Sequence, residues 1–136
     1  MSTEWIEFND DHQYADKLHP RVILDARRHF RLNAKAVELL GRPAAVRFLF
    51  DAGQKRIGIR AESPETPRAF RLVPTTSGTT SLIRGSAFCN RFGIKPEFAI
   101  AFQDVHLDPD GTLILDLNTA KRKPSRPYRT GPRAGS

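Results

Sequence analysis

Between Arg21 and Ala61, in RVILDARRHFRLNAKAVELLGRPAAVRFLFDAGQKRIGIRA, the apolar spacing switches from two to about 3.6 and back to two. Few folds accept that order of periods. It predicts a β-hairpin, one short helix and a second β-hairpin. Val22, Ile23 and Leu24 form a β-branched-rich run, broken by the polar Asp25-Ala26-Arg27-Arg28. Phe30 and Leu32 then alternate with His29 and Arg31, as in a half-buried strand. Asn33 is a good N-cap, because its side-chain oxygen can accept an orphan helix N–H. Ala36, Val37 and Leu40 share one face of the helix that follows; Gly41 supplies the left-handed position after it, and Pro43 prevents its resumption. Val46, Phe48 and Phe50 point one way along the next strand, Asp51-Ala52-Gly53-Gln54 turns, and Ile57 and Ile59 return.

A weaker copy follows at a displacement of 52 residues, which places Phe30 on Leu82, Asn33 on Gly85, Val37 on Cys89, Leu40 on Phe92 and Gly41 on Gly93. Val46, Phe48 and Phe50 fall on Phe98, Ile100 and Phe102. The upstream strand of the copy is Phe70-Arg71-Leu72-Val73, its first turn is Thr76-Ser77-Gly78-Thr79, and Leu113, Leu115 and Leu117 form its last strand after the longer turn Asp108-Pro109-Asp110-Gly111. The expected organisation is an acidic leader with an edge strand at Glu4–Phe8 (1–20), a first unit (21–60), a Pro/Glu-rich connector (61–69), a second unit (70–117) and a basic disordered tail (118–136).

A chain of 136 residues, 39% hydrophobic with nine Phe, can bury roughly two-thirds of its unfolded surface. It contains no apolar run long enough to span a membrane and no basic-then-apolar N-terminal signal segment. Cys89 is the only cysteine, so no internal disulfide can form; a cytoplasmic setting fits, with Cys89 as a buried small hydrophobe beside Phe88 and Phe92. The net charge of +7 is unevenly spread. Residues 121–136 hold six basic residues and no acid, which leaves 16 basic and 15 acidic residues in the first 120. Residues 1–20 carry five acids against Lys17 alone. The first 120 residues, acidic leader included, therefore read as nearly neutral, and most of the basicity sits in the tail.

The unit resembles the AbrB/SpoVT family of bacterial swapped-hairpin domains, in which a β-hairpin leads into a short helix ending in Leu-Gly and then a second hairpin. Leu24-Asp25, Leu32, Leu39-Leu40-Gly41 and Phe48-Leu49-Phe50-Asp51 stand where that family has equivalents. Two copies in one chain resemble the MraZ arrangement. The resemblance covers residues 21–60 and, more loosely, 70–117. It implies a mainly β (β or α+β) fold with two short helices, in which tandem units form a pseudo-twofold AbrB-like β-barrel. It also implies double-stranded DNA as partner, bound by a homodimer or a self-contained pseudo-dimer acting in transcription regulation. Arg27, Arg28, Arg31 and Lys35 would serve in the first unit and Arg84 and Arg91 in the second. The chain has Arg28-His29 where the family has Gly-Arg, and Asn33 where it has a helix-opening Pro. Lys121, Arg122 and Lys123, in the basic tail, add phosphate-binding charge.

A different class is a non-enzymatic structural or adaptor module with a protein partner, which the acidic leader favours because it would repel DNA or fold back on the tail. No catalytic or cofactor site is expected. His12, His19, His29 and His106 are scattered without an activated nucleophile, and Thr75–Thr80 lacks the Lys and the Gly pair of a phosphate loop. Asp108 and Asp110 have no third ligand nearby for a metal.

Overall fold

A computed structural model describes residues 19–75 and 80–123. The expected leader strand at Glu4–Phe8, the turn at 76–79 and residues 124–136 lie outside the described residues. Among the described residues the fold is mainly β, with two antiparallel sheets and two short helices. In chain order the elements are β1 (Val22–Leu24), β2 (His29–Asn33), α1 (Ala34–Leu39), β3 (Ala45–Asp51), β4 (Arg56–Glu62), β5 (Phe70–Arg71) and β6 (Val73–Pro74). They continue as β7 (Thr80–Arg84), α2 (Ser86–Phe92), β8 (Ile100–Phe102), β9 (Val105–Leu107), β10 (Leu113–Asp116), a 3₁₀ turn (Leu117–Thr119) and β11 (Ala120–Arg122). One sheet has the order β11-β8-β1-β2-β7-β6 and the other β5-β3-β4-β10-β9.

Local chemistry accounts for the element boundaries. The Ala36 amide donates to Asn33 Oδ1 (3.0 Å), the expected N-cap. Gly41 and Gly93 both take positive φ (86° and 70°), and the amides of Arg42 and Ile94 reach back to the carbonyls of Val37 and Cys89 (2.9 Å each), so both helices end in the same Schellman cap. The Asp25 and Asp108 turns are also built alike. Asp25 Oδ1 accepts from the amides of Arg27 (2.9 Å) and His29 (3.0 Å), and Asp108 Oδ1 accepts from those of Asp110 (2.9 Å) and Thr112 (3.0 Å). The left-handed position is Gly111 in one turn and Arg28 (φ 67°) in the other.

The core lies between the sheets. Leu24, Phe30, Leu32 and Ile83 of the six-stranded sheet and Ile57, Ile59, Leu113 and Leu115 of the five-stranded sheet are fully buried. Phe48 stacks on Phe88 (centroids 4.6 Å apart) and meets Phe30 (4.9 Å) and Phe70 (4.8 Å), so an aromatic cluster joins α2 to the strands.

Four expectations need correction. The 52-residue displacement places Phe30 on Leu82, but the buried residue of β7 is Ile83, which pairs directly with Phe30. A one-residue change of phase sends the opposite set of side chains inward. Here the phase changes at Gly85, which caps α2 from outside the strand, whereas Asn33 caps α1 from within β2. Second, Phe98 does not continue β8: it is 41% exposed, and the chain from Ile100 to Leu107 divides between the two sheets. Third, Phe92 is 42% exposed although Leu40, its match, is buried. Fourth, the basic tail does not begin at 118. β11 pairs with β8, the Lys123 amide donates to the Ala99 carbonyl (2.8 Å), and the Arg122 guanidinium lies 4.4 Å from the Phe98 ring centroid. Those ladder bonds and the ring contact offset the ordering entropy that composition alone weighed.

Candidate nucleic-acid interface

Folding β11 into the body changes where the charge sits. The described residues hold 18 Lys and Arg against 10 Asp and Glu, a net of +8, whereas residues 1–18 carry −4. Without the leader, residues 19–120 already carry +5, and Lys121 to Lys123 raise this to +8, so the body is strongly basic. The two sheets also differ. The strands of the six-stranded sheet with the β1–β2 turn contain Arg27, Arg28, Arg31, Arg84, Lys121 and Arg122 against the single acid Asp25. The strands of the five-stranded sheet contain four basic residues against Asp51, Glu62 and Asp116.

Register places several of these groups on the outer face, opposite the core. Lys121, Ala101, Ile23, Arg31, Leu82 and Val73 form one cross-strand row through consecutive pairings. In the adjoining row His29 stands opposite Arg84, diagonal to Arg31. Arg27 is exposed at the turn, where its carbonyl accepts from Ser86 Oγ (3.4 Å) and so ties the turn to the start of α2. Arg31 is partly neutralised, with Nε 3.4 Å from Asp25 Oδ2. The remaining candidates stand apart from this face: Lys35 pairs with Glu38 on α1 (3.6 Å), Arg91 lies against the Phe92 ring on α2 (5.3 Å), Arg122 covers Phe98, and Lys123 is exposed just beyond β11. The structure therefore gathers Arg27, Arg28, Arg31, Arg84 and Lys121 around one sheet and disperses the others. Sequence reading placed His29 among the turn's Arg27, Arg28 and Arg31 but missed the outer cross-strand row; the odd-numbered parity of His29, Arg31 and Ile23 was the available signal.

Arg28 bridges two roles. Its Nε is buried and has no hydrogen-bond partner, its carbonyl accepts from the Gly85 amide (3.0 Å), and its charge acts on the Cys89 thiol of α2. A non-glycine residue in the left-handed region costs about 1 kcal/mol. Arg28→Gly is accordingly expected to raise thermal stability by about that amount. A lower melting temperature would show that the Arg28 side chain holds α2 in place.

Burial pushes the Cys89 thiol from 9.0 up to about 11, and the positive charge of Arg28 only partly opposes this. The unfolded chain releases the thiol proton first, so stability is fully present below pH 9.0 and falls as the pH rises toward about 11. Cys89→Ser, which does not ionise in that range, should flatten this part of a stability–pH curve. An unchanged slope would place its origin elsewhere.

Among the described residues no helix is long and apolar enough to cross a membrane, and no three His, Cys, Asp or Glu side chains gather to hold a metal. No protein family, curated protein or solved structure matches this chain.

Proposed function

We propose that the protein binds double-stranded DNA and regulates transcription in the cytoplasm, presenting the β1–β2 turn and the outer face of the six-stranded sheet to the phosphates. The observation that carries this reading is the segregation of charge, six basic residues against Asp25 on that sheet and its turn. Arg31 and Lys121 lie three interstrand steps apart, about 14 Å, close to the ~12 Å width of the major groove, so together they can reach phosphates on both of its walls.

The architecture in this proposal is a pseudo-twofold AbrB-like barrel built from two swapped units. Three pairings support it. β2 pairs with β7, its counterpart in the second unit, and buried Phe30 lies directly opposite buried Ile83. β4 likewise pairs with its counterpart β10, Ile59 opposite Leu113 and Ile57 opposite Leu115, all four buried. The first strand of each unit pairs with the third of the other, β1 with β8 and β5 with β3.

Titration of a DNA duplex at several salt concentrations tests the reading. Log K should fall by about 0.9 per unit of log salt for each phosphate neutralised, and replacing Arg27, Arg31 and Arg84 together with Ala should flatten that slope by about 2–3. An unchanged slope would remove the sheet from the interface. Absence of binding at low salt would leave the adaptor reading, which the end of the outer row favours independently: beyond Arg31, Leu82 and the 45%-exposed Val73 stand side by side as an apolar strip suited to a protein partner.

A further inference from the structure

We propose that the acidic leader of this same chain, through residues 4–8, docks on the β11 edge and masks its positive charge. The described chain starts one strand from that edge: His19 and Pro20 line a cleft of about 210 Å³ with Ala101, Phe102 and Gln103, and Ala101 and Phe102 are the β8 residues on which β11 pairs. The ten residues between Phe8 and His19 can span about 35 Å, so the leader can cross β8 and reach β11.

Three features of the edge fit Glu4-Trp5-Ile6-Glu7-Phe8. Lys121, Arg122 and Lys123 present three positive charges to a leader of net −4. Lys123 bonds toward β8 through its amide, so by antiparallel alternation the Arg122 amide and carbonyl point away from the sheet, as a receiving strand edge requires. Beside Arg122 lies a shallow groove of about 420 Å³ lined by Ile94, Lys95, Pro96, Glu97, Phe98 and Ile100, whose apolar members offer a seat for the Trp5 ring; Phe8, three positions on, falls on the other face of such a strand. In the docked state Glu4 and Glu7 neutralise Lys121 and Arg122. Duplex DNA must then displace the leader to use them. That consequence rests on the DNA reading, whereas the docking itself does not.

Trp5 is the only tryptophan, so fluorescence of the full chain reports the leader directly. At low salt its emission should be blue-shifted and shielded from acrylamide. Both Glu4→Lys/Glu7→Lys and Lys121→Glu/Arg122→Glu should expose it, and the four substitutions combined should restore the shielding. The leader substitutions leave every described residue intact, which separates undocking from unfolding. A fully exposed Trp5 in the unaltered chain, or shielding that survives both charge reversals, overturns the proposal. Shielding lost on dilution assigns the groove to a second copy and overturns docking within one chain. In the DNA arm, Glu4→Gln/Glu7→Gln should tighten duplex binding about tenfold, and more than Asp10→Asn/Asp11→Asn, which removes equal charge outside the docked strand. Equal gains from the two pairs overturn the masking role. If no variant binds DNA while Trp5 stays shielded, the DNA reading fails and the docking stands.

Discussion

Replacing Phe30 with Ala is expected to destabilise the protein by about 3–5 kcal/mol, the range for removal of a fully buried ring. Phe30 is 0% exposed, contacts the Phe48 ring (4.9 Å between centroids) and pairs with Ile83 across β2 and β7 within the six-stranded sheet. Its ring also limits what residue 85 can be. A Cβ added at Gly85 would stand 2.6 Å from Phe30 Cε1 and 2.8 Å from Cδ1, and the ring cannot retreat because Phe48 and Phe88 lie behind it. Gly85→Ala should therefore cost about 1–3 kcal/mol by overpacking. The two sites are coupled: in the double variant the new methyl enters the space the ring has left. Chemical denaturation of both single variants and the double should give a combined loss smaller than the sum. Additive losses would mean that the Gly85 backbone, not the ring, accommodates the methyl group.

Asn33→Ala should cost about 2–3 kcal/mol, since it removes a helix cap and leaves buried polar groups without partners. The Asn33 side chain is almost wholly buried, and its hydrogen bonds tie two segments together. Its Oδ1 accepts from the amides of Ala36 (3.0 Å) and Arg21 (2.9 Å), and its Nδ2 donates to the His19 carbonyl (2.8 Å). One side chain thus starts α1 and clamps the segment leading into β1. Asn33→Asp keeps the acceptor, loses the donor and sets a carboxylate against the His19 carbonyl. It should recover the cap but not the clamp, and hydrogen exchange at Ala36 and Arg21 separates the two. Equal protection in the Ala and Asp variants would show that the cap contributes little.

Much of the fold was legible in the chain because the signals were local. The Asn33 cap, the left-handed Gly41 and Gly93, the Asp108-Pro109-Asp110-Gly111 turn and the alternation Ile57/Ile59 and Leu113/Leu115 each depend on residues a few positions apart, and each was found where expected. The errors fell where two signals competed. At β7, Leu82 and Ile83 are adjacent and equally apolar, so periodicity could not choose between them, and Phe30 across the pair decided for Ile83. At Phe98 the apolar alternation continued on paper, but the following chain was divided between two sheets. At β11, Ala-Lys-Arg has no strand signal of its own and becomes a strand because β8 offers it a free edge.

The candidate site divides the same way. The sequence by itself determined that arginines cluster in the first hairpin, that the leader is acidic and that a hairpin–helix–hairpin pattern recurs, because composition and spacing are properties of the chain. Only the tertiary structure decided that Arg84 and Lys121 join Arg31 on one sheet, that Asp25 holds Arg31, and that Lys121 to Lys123 belong to a body of net +8. Those relations depend on pairing between residues as far apart as Ile23 and Ala101, whose partners are chosen by register and burial rather than by neighbours in the chain.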